Sequence, residues 1–227
     1  MSRRPDGRWA RAVLLALVAT ASAPAVTSAD RAKDAEPVRA LGHAALYGDI
    51  EAVSRLLGQG ADVNAIWGAD MTPLMWAFQP LIRPSARSGP DPHAFQAFRA
   101  RQARKLRIAR MLIERGADVR LKDRHGMTAL HQLVLMHGED RALLETLQAL
   151  VETGANADVP NNDDLTPLMF AADRNRLKFV KFLVSAGADP RAAAKDGRTA
   201  LSIARERGHA QVAAFLERQL RERSRPR

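Results

Sequence analysis

The side chains able to do acid–base, nucleophilic or metal chemistry are few, and their spacing does not suit that work. The six His are His43, His93, His125, His131, His137 and His209. None falls in H-E-x-x-H or another ligand spacing, so no metal site is expected. His137, close to Glu139 and Asp140, comes nearest and reads as a polar loop. Cys is absent, which removes thiolate catalysis, disulfides and Cys-ligated zinc. There is no G-x-S-x-G elbow for a serine nucleophile. Gly58-Gln59-Gly60 opens like a dinucleotide fingerprint but lacks the third Gly. Asp163-Asp164 and Asp189 suit turns and caps better than a catalytic pair. The expectation is therefore a protein with no catalytic residues, no metal and no cofactor, and not an enzyme.

What these residues belong to is a repeat. Four segments open alike: Met71-Thr72-Pro73-Leu74, Met127-Thr128-Ala129-Leu130, Leu165-Thr166-Pro167-Leu168 and Arg198-Thr199-Ala200-Leu201. Four close alike, at Gly60-Ala61-Asp62, Gly116-Ala117-Asp118, Gly154-Ala155-Asn156 and Gly187-Ala188-Asp189. The step from each closing Ala to the next Thr is constant: Ala61 to Thr72, Ala117 to Thr128, Ala155 to Thr166, Ala188 to Thr199. Each Thr stands where a helix N-cap is needed. Pro73 and Pro167 follow at the first helical position, where a missing N–H is harmless. Leu74, Leu130, Leu168 and Leu201 are candidate core residues. So are the pairs Leu56-Leu57, Met111-Leu112, Ala149-Leu150 and Phe182-Leu183. The closing Gly residues end helices with a left-handed backbone.

On these residues the chain resembles the ankyrin-repeat family. The fullest copy is LTPLMFAADRNRLKFVKFLVSAGADP (Leu165–Pro190), and the likeness covers roughly residues 37–220. It implies an all-α solenoid of about five helix-turn-helix units, at about 37–67, 68–121, 122–159, 160–192 and 193–220, with a basic tail at 221–227. The spacing of the repeated Thr locates two insertions. Thr166 to Thr199 is 33 residues, Thr128 to Thr166 is 38 and Thr72 to Thr128 is 56. The larger insertion, roughly Pro80 to Arg104, begins as a Pro/Ser/Gly-rich loop. It then continues as a helix from near Pro92 to near Arg115, with Phe95, Phe98, Leu106, Ala109 and Ile113 on one face. His131 fills the family's T-P-L-H position, which implies a hydrogen bond to Thr128 and the neighbouring turn.

The N-terminus reads as a secretory leader, residues 1–29, followed by a linker at 30–36. Arg3, Arg4, Arg8 and Arg11 precede a short apolar run, Ala12–Thr20, and a small-residue stretch with a cleavage point after Ala29. The apolar run is shorter than the about 20 residues that span a bilayer. An exported, bacterial member of the family, periplasmic or secreted, is the expectation.

The whole chain carries 35 Lys+Arg against 25 Asp+Glu. Residues 83–110 hold eight basic residues and one acidic one, and Arg218–Arg227 holds five Arg and Glu222. The resemblance implies a protein partner, of unknown identity, held by turn tips and the exposed face of the first helices. The candidate contacts are Trp67, Trp76, Phe78, Lys122, Arg124, His125, Asn161, Asn162, Phe170 and Lys195. For Trp67 and Trp76, packing on each other is the competing reading. Arg99, Arg101, Arg104, Lys105 and Arg107 are candidates for a basic surface. The alternative function is a surface-associating module that binds an anionic membrane face or polyanion. Export and the lack of aromatic platforms argue against nucleic acid. A monomer is expected.

Overall fold

A computed structural model describes residues 31–80, 92–137 and 140–223. Residues 1–30, 81–91, 138–139 and 224–227, where the expected leader, the expected loop and most of the expected basic tail fall, lie outside them. The chain divides into residues 1–36 and a compact unit from Pro37 onward, and the following concerns the second. Ten helices are described: α1 (Arg31–Tyr47), α2 (Ile50–Gly58), α3 (Pro73–Phe78), α4 (Pro92–Glu114), α5 (Ala129–Leu135), α6 (Asp140–Glu152), α7 (Pro167–Asp173), α8 (Leu177–Ser185), α9 (Ala200–Glu206) and α10 (Ala210–Arg223). The stretch expected to be a linker at 30–36 is helical from Arg31.

The helices form two rows. Short helices α3, α5, α7 and α9 stack in sequence, and α2, α4, α6, α8 and α10 stack beside them. Each short helix also packs on the longer one that follows it. The repeated residues explain this. Thr72, Thr166 and Thr199 accept the backbone N–H of Met75, Met169 and Ser202 at 3.2–3.4 Å, fixing each helix start. Gly60, Gly116, Gly154 and Gly187 have φ between 85° and 107° and stop each outer helix.

Leu74, Leu130 and Leu168 are fully buried between the rows, as are Leu112, Leu150 and Leu183. Each such side chain contributes about 1.5–3 kcal/mol. Leu56, Leu57 and Leu201, at the two ends of the array, are only partly covered. An end unit has a neighbour on one side alone.

The larger insertion lengthens one outer helix. Helix α4 has 23 residues where its neighbours α2 and α6 have 9 and 13, so it overhangs them by about 21 and about 15 Å.

Candidate partner-binding surface

Between the units the chain turns in short fingers. An Asx turn builds three of them, and a Trp67–Met71 backbone bridge closes the first. Asp123 Oδ1 accepts the N–H of His125 and Met127 at 2.8 and 2.9 Å. Asn161 Oδ1 accepts those of Asp163 and Leu165, both at 2.9 Å. Asp196 Oδ1 accepts that of Arg198 at 3.0 Å. Gly126 and Gly197 close two of the turns with positive φ.

Neighbouring tips are then stitched together by backbone bonds. Arg124 N–H donates to Ala69 O at 3.2 Å, Asn162 to His125 O at 2.9 Å, and Lys195 to Asp163 O at 3.1 Å. The result is a continuous rib of main chain along one edge of the solenoid. Backbone groups satisfy one another there, and the side chains of Arg124, His125, Asn162 and Lys195 remain exposed. Asn162 also donates from Nδ2 to Arg124 O at 2.9 Å, and exposed Lys122 straps its ammonium to Pro160 O at 3.0 Å. Both side chains partly serve the rib itself.

Four of the expected partner contacts lie inside the protein. Trp76, Phe78, Phe170 and Asn161 are buried. Every residue of α3 and α5 is buried, and so are the first six of α7. Stacked short helices and fingers cover these side chains on all sides, so the first-helix face expected to meet a partner is largely closed. Polar groups on it satisfy each other. Gln79 Nε2 donates to Gln132 Oε1 at 3.1 Å, and Gln132 Nε2 donates to Asp123 Oδ2 at 3.3 Å. Asn161 is occupied by its own turn.

Trp67 and Trp76 do pack on each other, with ring centroids 5.0 Å apart, and Trp76 Nε1 donates to Trp67 O at 3.2 Å. His43 sets its ring edge-on against Trp67 at 4.7 Å, and the Arg39 guanidinium lies 5.8 Å from the Trp67 ring centre. Trp67 is thus half-buried, a plug between the first two units rather than a free anchor. Arg39 carried no sequence signal, because its role depends on the fold bringing α1 beside the first finger.

His131 takes the expected place. Its Nδ1 accepts the Thr128 backbone N–H at 3.1 Å, so Nε2 carries the proton and faces Leu165 O at 3.3 Å. Burial, above all, pulls its pKa down to about 4. The neutral ring is a tie between units.

On α4, Arg99, Arg101, Arg104 and Arg107 are exposed as expected. Lys105 is not. It is fully buried, and its ammonium donates to Gln79 O at 2.6 Å. Burial first, and the nearby Arg101 charge second, lower its pKa to about 7. One turn away Gln102 is also buried, and neither its Nε2 nor its Oε1 has a hydrogen-bond partner. A helical wheel carries the signal that was missed. Phe98, Gln102, Lys105 and Ala109 follow one another at steps of three or four, so both polar residues fall on the apolar stripe.

Capped helix pairs, finger turns and a shared core define a repeat solenoid. Likeness to known proteins agrees with the geometry. Ankyrin repeats in three copies match residues 97–194 and 135–221, and ankyrin repeats in many copies match residues 41–79. This chain belongs to the ankyrin-repeat family, whose repeats generally mediate protein–protein interaction. A curated relative, a mitochondrial disaggregase of Bos taurus, is 32% identical over 184 residues, covering 75% of this chain and 25% of that protein. The chain thus spans about a quarter of that relative's length. An exported, bacterial origin finds no support in these likenesses.

Proposed function

We propose that this chain is a non-enzymatic, monomeric protein-binding module that holds a protein partner along its row of fingers. The observation that carries the reading is the stitched rib. Fingers whose backbone groups are mutually satisfied can hold the side chains of Arg124, His125, Asn162 and Lys195 in fixed register. Preorganised polar side chains lose little freedom on binding. The closed faces of α3, α5 and α7 leave the rib as the natural place for contact, with exposed Arg39 and half-buried Trp67 at its first end.

The test is a photo-crosslinking amino acid placed in the full chain at Arg124, at Lys195 or, on the outer row, at Lys178. Crosslinks to one discrete protein from the two finger positions, absent from Lys178 and lost when His125 and Asn162 are changed to Ala, support the reading. Equal crosslinking from all three positions sinks it.

Export to the periplasm or beyond belongs to the same proposal and rests on the leader-like residues 1–29. N-terminal sequencing of the protein from its native cell should find a chain beginning at Asp30 in an exported fraction. An unprocessed chain in the cytosol, or a chain inside an organelle, overturns that part. The alternative, an anionic membrane face or polyanion, rests on the exposed arginines of α4.

A further inference from the structure

Elsewhere on the outer row most exposed arginines lie against a carboxylate. Arg141 pairs with Glu145, Arg221 approaches Glu217, Arg218 approaches Glu222 and Arg223 approaches Asp189. On helix α4, Arg110 also joins Glu145, but the exposed arginines one to three turns before it differ. Arg101, Arg104 and Arg107 are exposed, and among the described residues no carboxylate pairs with them. At three-residue steps they fall within about 120° of arc and about 9 Å of rise. The exposed neighbours Ala97, Ala100 and Ala103, one or two turns before these arginines, are small. The guanidinium groups therefore stand clear on a low crest.

The surroundings decide what kind of anion fits. Arg107 stands nine residues before its helix-ending Gly116, and Glu51 and Glu145 stand nine before Gly60 and Gly154. In the repeat register the two exposed glutamates therefore lie level with Arg107, at one end of the crest, one on each neighbouring outer helix, with the helix axes about 8–10 Å apart as in packed helices. Glu145 is held ionised by Arg141 and Arg110. A flat anionic surface would meet these carboxylates together with the arginines. A narrow acidic chain lying along α4 meets the arginines alone. A helix with carboxylates at every third or fourth position repeats its charge at about 5 Å along the axis, which matches the arginine spacing of about 4.5 Å.

We propose that the exposed face of α4 from Ala97 to Arg107 is a second docking surface that takes an acidic helical segment of a protein partner. The inference rests on the reading of the chain as a protein-binding module, but it uses a face other than the fingers.

The experiment measures binding of the full chain to a fluorescein-labelled helical peptide with Glu on one face. Its comparisons are a Gln version of that peptide, and vesicles of phosphatidylserine and phosphatidylcholine in equal parts. Two variants are compared with the parent: Arg104→Glu with Arg107→Glu, and, as a charge control on another outer helix, Lys178→Glu with Lys181→Glu. The proposal expects the Glu peptide to bind better than the Gln peptide. Its affinity should fall about tenfold or more in the α4 variant only, and a Lys-faced peptide should bind that variant instead. Equal loss in both variants, or no loss in the α4 variant, overturns it. So does vesicle binding without peptide binding, which would assign the crest to lipid. If finger crosslinking occurs in the parent chain while the Glu peptide fails to bind that same parent, the second surface is wrong and the finger reading stands.

Discussion

Lys105 reaches the interior because α4 turns it inward between Gln102 and Ala109, and its stem packs near the backbone of Gly48. Its folded pKa of about 7 lies well below the ordinary lysine value. Below about pH 7 both folded and unfolded chains carry the charge, and the folded one bears the desolvation. Between about pH 7 and about pH 10 the unfolded chain holds the proton and the folded chain does not, so stability rises with pH. Lys105→Met keeps the stem and removes the charge. It should stabilise the protein most near pH 6, with the gain fading toward pH 10, as read from urea melts. A gain that does not change with pH would mean that Lys105 is solvated in solution. Gly126 makes the opposite kind of demand. Its φ is +74°, and a Cβ there would lie 2.7 Å from Asn162 N and closer still to its Oδ1. Gly126→Ala should destabilise by about 1–3 kcal/mol. Gly154→Ala, with positive φ but open space around it, should stay near about 1 kcal/mol. Thermal melts of the two variants compare the steric clash with backbone strain alone.

At the scale of elements, His131 joins helix α5 to the finger after it. It is fully buried and neutral, bonded to Thr128 on one side and facing Leu165 O on the other. Its folded pKa of about 4 is below the unfolded value of about 6.5. As pH falls from about 6.5 to about 4 the unfolded chain takes a proton that the folded chain refuses, and stability is lost by up to about 3 kcal/mol. His131→Gln should flatten that acid limb while lowering stability near pH 7, because the tie to Leu165 weakens. An unchanged acid limb in the variant would place the titration elsewhere. Helix α4 shows the same economy in reverse: its C-terminal half fills the outer row, and the overhanging half is free to carry charge.

At the scale of the molecule, each unit's stability lies in its contacts with the units beside it. Leu168 is fully buried in α7, which packs on both α5 and α9. Leu168→Asp buries an unpaired carboxylate and should unfold the flanking units with its own. Hydrogen exchange would then show loss of protection across α5, α7 and α9 together, while α2 keeps more of its protection. Loss confined to α7 would mean that the units fold independently.

The repeated Thr, Pro, Leu and Gly residues were enough to read the solenoid, its register and the length of α4 from sequence. Those residues act locally, as caps, first-turn prolines and helix stops, and their chemistry is visible at a fixed spacing. The surface was less legible. A sequence marks Trp76, Phe78 and Phe170 as large and Lys105 as charged, but not which neighbours will cover them. Stacking decided that, by closing the short-helix faces and drawing Lys105 and Gln102 onto the buried stripe of α4. The fingers could be read as turns, whereas their joining into one rib could not. Those backbone bonds link residues more than thirty positions apart, and only the packed units bring them within reach.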